Sequence, residues 1–278
     1  MKKWLRRIGL VLAILLVAVA IAAFVIHRRA SRVPEWYAQA KLPIPDDKNL
    51  ENKIVWPLQN FAAQASTGNI DAKLPEQKRT TVVLTANQIN ALIAKWSNSM
   101  GIEARMSEHV RDVRVRLSEG KITIAGEAVE QKRIVSIVLQ PKQSALGYGQ
   151  LAMDSIRIGD ATLPLVALGN QQTQLNDALA RRATAMQDKL SIDDRGLATR
   201  QTADIYYTSL LTRLFSGQDA DAFAFLATKQ DLDHPVATRV REMKVEEGQV
   251  TLTLEILSPA DRESLVEKLK SAATPSAP

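Results

Sequence analysis

Val113-Arg114-Val115-Arg116-Leu117-Ser118-Glu119-Gly120-Lys121-Ile122-Thr123-Ile124 is the stretch on which the reading of this chain turns. Apolar Val113, Val115 and Leu117 alternate with polar Arg114, Arg116 and Ser118, the period of two that belongs to a half-buried strand. Glu119-Gly120 turns the chain, and Ile122 and Ile124 carry the alternation back, so the stretch predicts a β-hairpin. Outward on the C-terminal side, Arg133 to Gln140 predicts a third strand, nearly continuous in its apolar character. Gln150 to Ile158 predicts a fourth, ending near Gly159-Asp160, and Leu163-Pro164-Leu165 closes the sheet. Outward on the N-terminal side, Thr85-Ala86-Asn87-Gln88 fits a capping box, with Ile89, Leu92, Ile93 and Trp96 on one face of the helix that follows.

Farther along, Leu168, Leu175, Leu179, Met186 and Leu190 form the stripe of a long helix, and Ser191 to Gly196 reads as a polar turn at an internal boundary. A helix carrying Tyr206, Leu210, Leu214 and Phe215 follows, then a shorter one around Phe223 to Leu226. A second hairpin, Val240 to Ile256, turns at Glu247-Gly248. Ser258 as N-cap and Pro259 in the first helical position open a last helix with Leu265, Val266 and Leu269. The hairpins read alike, Glu119-Gly120-Lys121-Ile122-Thr123-Ile124 against Glu247-Gly248-Gln249-Val250-Thr251-Leu252. Each follows a helix beginning with Thr-Ala (Thr85-Ala86 and Thr202-Ala203). A duplicated helix–hairpin unit is one reading. Chance is the better one, because any amphipathic hairpin with a Glu-Gly turn looks the same.

The 278 residues have a net charge of +6, a hydrophobic fraction of 46% and a charged fraction of 24%, the composition of a folded protein. Seven of the 36 basic residues stand before position 33 with no acidic residue among them, which leaves 29 basic against 30 acidic in the rest. The basicity thus flanks one hydrophobic run, and the body has no electrostatic footprint for nucleic acid. That run, Ile8 to Ile26, has no charge and no proline, and at about 1.5 Å per residue it covers the bilayer core of roughly 30 Å. It reads as a transmembrane helix with the lipid bilayer as its partner; a signal peptide cleaved near Ala18-Val19-Ala20 or Ala20-Ile21-Ala22 is the competing reading. Both export the body, and the first predicts a single-pass protein of the inner (cytoplasmic) membrane with its C-terminal body outside the cytoplasm.

The expected organisation is therefore a cytoplasmic tail (1–7), a transmembrane helix (8–26), a juxtamembrane spacer with Pro34, Pro43 and Pro45 (27–47), an α+β sheet domain (48–190), and a helical region with a C-terminal hairpin and helix (191–278). The fold class expected is α+β, an antiparallel curved sheet packed on long helices and preceded by that one transmembrane helix. Within the sheet domain, Leu50, Ile54, Leu58 and Phe61 predict a helix interrupted at Pro57. Trp36 and Tyr37 read equally well as a headgroup-level anchor or as side chains docked on the body.

No constellation for chemistry emerges. Cysteine is absent, which removes disulfides, thiolate nucleophiles and Cys-based metal sites. His27 flanks the hydrophobic run, His109 precedes a strand, and His234 in Asp231-Leu232-Asp233-His234-Pro235 lacks a second ligand cluster. Gly147-Tyr148-Gly149-Gln150-Leu151-Ala152 matches G-x-G-x-x-A, but a strand follows where a phosphate-binding loop requires a helix. The sequence predicts a protein with no catalytic residue, cofactor or metal site.

Thr81 to Ile93, with its strand, threonine cap and Ile89-Asn90-Ala91-Leu92, resembles YpmS-like membrane-anchored bacterial proteins. Gly149-Gln150-Leu151, the strand to Ile158, Gly159 and Leu163-Pro164-Leu165 are similar to the block closing their sheet, and the strand rhythm is similar to that of LmeA-like phospholipid-binding proteins. Val33-Pro34-Glu35-Trp36-Tyr37 resembles a juxtamembrane segment of uncharacterised single-pass envelope proteins. The resemblance spans residues 33–190 and implies a curved sheet on a long helix, with an apolar groove suited to a phospholipid or fatty acid. Arg133 to Gln140 suits such a sheet, since Ile134 and Val138 occupy one face and Val135, Ile137 and Leu139 the other. Those last three are the candidate groove residues, unless the helix from Leu168 to Leu190 covers them. Two functions follow as expectations: an interaction or scaffold module that engages an envelope protein, or a lipid-binding or lipid-carrier protein.

Overall fold

The computed structural model describes residues 28–40, 54–67, 78–99, 110–163, 169–226 and 234–271. The fold is α+β, built on two antiparallel sheets with helices between and around them. The run from Ile8 to Ile26 lies outside the described residues, and among those described no helix is long and apolar enough to cross a membrane.

In chain order the elements are α1 (Glu35–Ala40), α2 (Trp56–Ser66), β1 (Arg79–Thr85), α3 (Ala86–Ser99), β2 (Val110–Ser118), β3 (Lys121–Ala128), β4 (Arg133–Gln143), β5 (Gly149–Ile158), β6 (Ala161–Leu163), α4 (Gly169–Met186), α5 (Arg200–Phe215), β7 (Ala220–Asp221), β8 (Phe223–Leu226), β9 (Val236–Glu246), β10 (Gln249–Ile256) and α6 (Pro259–Ser271). One sheet runs β2-β3-β4-β5-β6, with β7 paired to β5; the other runs β1-β10-β9-β8. The hairpin read from Val113 to Ile124 is β2–β3, with Gly120 at φ +70° in its turn.

The capping box is present in both directions. Gln88 N–H donates to Thr85 Oγ1 at 3.2 Å, and Thr85 N–H donates to Gln88 Oε1 at 2.8 Å. Two otherwise orphaned amides are satisfied at the point where β1 becomes α3. Ser258 caps α6 by accepting from Asp261 N–H at 3.2 Å, with Pro259 in the first turn.

Two elements differ from the sequence reading. Phe223–Leu226 is a strand, not a short helix, and pairs Phe223 with Arg239 through Leu226 with Val236. A run of four apolar residues carries no periodicity to separate the two states, and pairing with β9 decides the matter. Second, β1 is hydrogen-bonded from Arg79↔Glu255 to Thr85↔Gln249 along β10. The four-stranded sheet therefore joins residues on both sides of the boundary expected near 190.

The sheets meet through their apolar faces. Val115 and Leu117 of β2 pack with Val245 and Val250 of the second hairpin, with Ile89 and Ile93 of α3 beside them. A second cluster joins Leu179 and Ala183 of α4, Ile205 and Tyr206 of α5, and Leu265 and Leu269 of α6. Tyr206, inside this layer, donates its hydroxyl to Asp221 C=O at 2.9 Å and accepts from Phe223 N–H at 2.8 Å. Burial raises its pKa, so the phenol stays a donor in its buried position.

Candidate functional site

The six-stranded sheet has one mainly apolar face and one mixed face, on which Arg116, Thr123, Ser136 and Arg157 accompany buried Ala125, Ile134 and Val138. On the apolar face Ile124 opposes Ile137, Ile137 opposes Ile156, and Ile156 opposes Leu163. Ile122 opposes Leu139, and Leu139 opposes Met153. Val135, between Gly126 and Ile158, lies one row in from the Ala128↔Arg133 end of β4.

The structure splits the candidate groove residues. Leu139 is buried in a cluster with Leu214 and Ala220, and Ile137 sits at the margin of that cluster with Leu210. Val135 is half-buried and, among the described residues, belongs to no buried cluster, and Ile124 near it is 36% exposed. The described cover over Leu139 is α5, through Leu210 and Leu214, where the sequence reading named the helix ending at Leu190. An apolar patch that is partly open to solvent remains around Val135 and Ile124.

The mixed face carries a cleft of about 900 Å³. Arg116 opposes Thr123, and Thr123 opposes Val138. One row away Ser136 opposes Arg157. Val138 and Ser136 are buried in the floor, whereas Arg116 and Arg157 stand exposed at its sides. Glu35 and Trp36 of α1, Asp160 of the β5–β6 turn and Glu247 of the β9–β10 turn complete the rim. Lys121 is engaged with Asp154 at 3.1 Å. Among the described residues, neither Arg116 nor Arg157 has a carboxylate partner.

One wall of this cleft is the segment that follows the hydrophobic run. Tyr37 is 0% exposed and packs on Ala125 and Ile134. Its hydroxyl donates to Asp112 C=O at 2.7 Å, a carbonyl presented by the β-bulge where β2 slips between Arg111 and Arg114 and Asp112 takes φ +52°. Burial first, and the nearby Asp112 charge second, push the Tyr37 phenol up to about 12, so it remains a donor. Of the two readings of the aromatic pair, docking on the body describes Tyr37; Trp36 sits edge-on to it at 5.8 Å and lines the cleft.

The segment is held at both ends. Asp160 N–H donates to Arg29 C=O at 3.0 Å, and Arg114 Nε donates to Ala40 C=O at 3.0 Å. Gly159, at φ +56°, allows this approach: a Cβ there would lie 2.5 Å from the Arg32 carbonyl oxygen and 2.6 Å from that of Arg29. Only glycine fits both the backbone conformation and the space.

The dinucleotide-like Gly147-Tyr148-Gly149 runs into strand β5 and has no helix to offer a phosphate. Gly149 serves packing instead, since a Cβ there would come within 3.0 Å of Val240 C=O in the opposite sheet. Among the described residues no group of three His, Asp or Glu side chains is placed to hold a metal ion. Arg116 appeared in the sequence only as one polar beat of an alternating strand, and Arg157, Thr123 and Ser136 carried no signal. Their assembly depends on register across four strands, which no local pattern encodes.

No protein-family model, curated protein or solved structure matches this chain.

Proposed function

We propose that the chain is a membrane-tethered, non-enzymatic interaction module of the bacterial envelope. Ile8 to Ile26 anchors it in the inner membrane, and the sheet body stands outside the cytoplasm to engage an envelope partner. The supporting observation is the junction. A flexible tether has no use for a buried Tyr37, a glycine reserved for contact with Arg29 and Arg32, or hydrogen bonds at both ends of the segment from Arg29 to Ala40. A rigid link suits a module whose height and orientation over the bilayer matter.

The absence of cysteine makes the test direct, because a single introduced thiol is the only one in the chain. Glu119→Cys, in the exposed β2–β3 turn, is labelled in intact spheroplasts with a membrane-impermeant maleimide. Labelling before lysis is the expected result; labelling only after lysis places the body in the cytoplasm and ends the envelope reading. A second reading, lipid binding or carriage, is favoured by the partly open apolar patch at Ile124 and Val135. Acyl lipid co-purifying with the body and lost on Val135→Asp would move the proposal to that reading.

A further inference from the structure

The mixed-face cleft has an arrangement of charge that fits one class of ligand. Arg116 and Arg157 project from β2 and β5, three strands across and two residues along, or about 16 Å at the usual strand and residue spacings. Between them the floor offers the hydroxyls of Thr123 and Ser136. Neither guanidinium is neutralised by a described carboxylate, although both stand at the same cleft as Glu35 and Asp160. Arginines lacking carboxylate partners beside hydroxyl donors suit the oxygens of a phosphate. The two acids and the Trp36 ring on the α1 side suit an ammonium group, by charge and by cation–π attraction. A simple anion would meet repulsion from the acids, and a simple cation from the arginines. A ligand carrying both charges meets neither.

We infer that this cleft binds a zwitterionic phosphate–ammonium group of the phosphoethanolamine type, its phosphate between Arg116 and Arg157 over Thr123 and Ser136, its ammonium against Glu35, Trp36 and Asp160. Such a group occurs as a lipid headgroup and as a soluble phosphomonoester. The position of the cleft against the segment leaving the anchor favours the headgroup. That choice of source rests on the tethered-module reading, whereas the charge chemistry of the cleft does not.

The test uses the full chain in detergent micelles free of phospholipid, with native mass spectrometry reading retained ligand. Dioleoyl-phosphatidylethanolamine, dioleoyl-phosphatidylglycerol and soluble phosphoethanolamine are offered separately. One equivalent of the ethanolamine lipid is expected, half-saturating at a concentration about tenfold below that of the glycerol lipid. The double variant Arg116→Ala/Arg157→Ala is expected to lower its occupancy at least tenfold. Glu35→Gln is expected to erase the preference for ethanolamine, because it weakens the ammonium contact and relieves the repulsion on the anionic glycerol lipid. Both arginines are exposed, so an unchanged thermal midpoint checks that the double variant is folded. Saturation by soluble phosphoethanolamine as strong as by the lipid supports the cleft chemistry and assigns it a soluble ligand. The inference is overturned if the folded double variant retains as much ethanolamine lipid as the native chain, or if the native chain holds neither the lipid nor phosphoethanolamine. A cytoplasmic result in the thiol-labelling experiment would remove the membrane reading and leave the phosphoethanolamine arm standing.

Discussion

The β2–β3 and β9–β10 hairpins are nearly the same object in sequence and have different work in the fold. Both turn at Glu-Gly, with Gly120 at φ +70° and Gly248 at φ +77°. They meet turn to turn in reciprocal bonds: Gly120 N–H donates to Val245 C=O at 3.0 Å, and Gly248 N–H donates to Leu117 C=O at 3.1 Å. Leu117 and Val245 each stand three residues before their glycine, so the contact has an approximate two-fold relation. Beyond the turns the likeness ends. The second hairpin is flanked by strands, β1 on β10 and β8 on β9. In the first, β2 is an edge strand, and its open side is met by a side chain. Asn90 Nδ2 donates to Val115 C=O at 2.9 Å, and Val115 N–H donates to Asn90 Oδ1 at 2.7 Å.

The two preceding helices differ as well. Thr85 caps α3, whereas Thr202 lies inside α5, which Thr199 caps by accepting from Thr202 N–H at 3.2 Å. Thr202 instead exchanges hydrogen bonds with the Ser191 backbone, its hydroxyl donating to Ser191 C=O at 3.1 Å and accepting from Ser191 N–H at 3.0 Å. The shared Thr-Ala letters therefore occupy different helical positions, which weighs against a simple duplication of the helix–hairpin unit. Identical local patterns produce identical turns, and their neighbours decide which hairpin ends at a sheet edge and which lies within a sheet.

The largest test of this comparison lies at the reciprocal contact. Leu117→Ala removes a buried side chain between the turns and is expected to cost about 3 kcal/mol in urea unfolding. Val245→Ala, which removes less, is expected to cost about 2 kcal/mol. If the contact is one packed unit, the double variant will depart from additivity by about 0.5 kcal/mol or more. Strict additivity would mean that the two turns are independent neighbours.

Asn90→Ala tests the asymmetry. It strips the Val115 amide and carbonyl of their side-chain partner on a buried residue and is expected to cost about 2 kcal/mol. Hydrogen exchange should accelerate at Val115 and leave β9 unaffected. Equal acceleration in both hairpins would show that Asn90 supports the whole interface and has no special task at the β2 edge. The smallest expected effect is at the glycines. Open space surrounds the Cβ position of each, so Gly120→Ala and Gly248→Ala are expected to cost about 1 kcal/mol apiece from backbone strain alone. A difference of more than about 1 kcal/mol between them would break the equivalence of the turns.

Much of the local structure is legible in the sequence. The capping box at Thr85, the Ser258-Pro259 start of α6, both Glu-Gly turns and strands β2 to β5 depend on residues a few positions apart. Propensity, period and capping chemistry act at that range. The Phe223–Leu226 strand was not legible, because four apolar residues in a row leave the state to whatever pairs with them. The pairing of β1 with β10, some 170 residues away, was likewise not legible, because no local pattern names a strand's partner. Within the candidate groove, the sequence marked Val135, Ile137 and Leu139 as one apolar row. The packing of Leu214 on Leu139 then closed one end and left Val135 partly open.

The sequence by itself determined most of the elements: where charge concentrates, where helices are capped, where the chain turns, and which face of an alternating strand is apolar. Only the tertiary structure decided their company. Strand order placed Arg116, Thr123, Ser136 and Arg157 around one cleft, and the bulge at Asp112 presented the carbonyl that receives Tyr37. Gly159 gained its meaning only when Arg29 and Arg32 arrived beside it. The physical reason is range. Backbone sterics and local hydrogen bonds select conformation residue by residue, while register, burial and charge pairing act between segments far apart in sequence, and a cleft is made only by the latter.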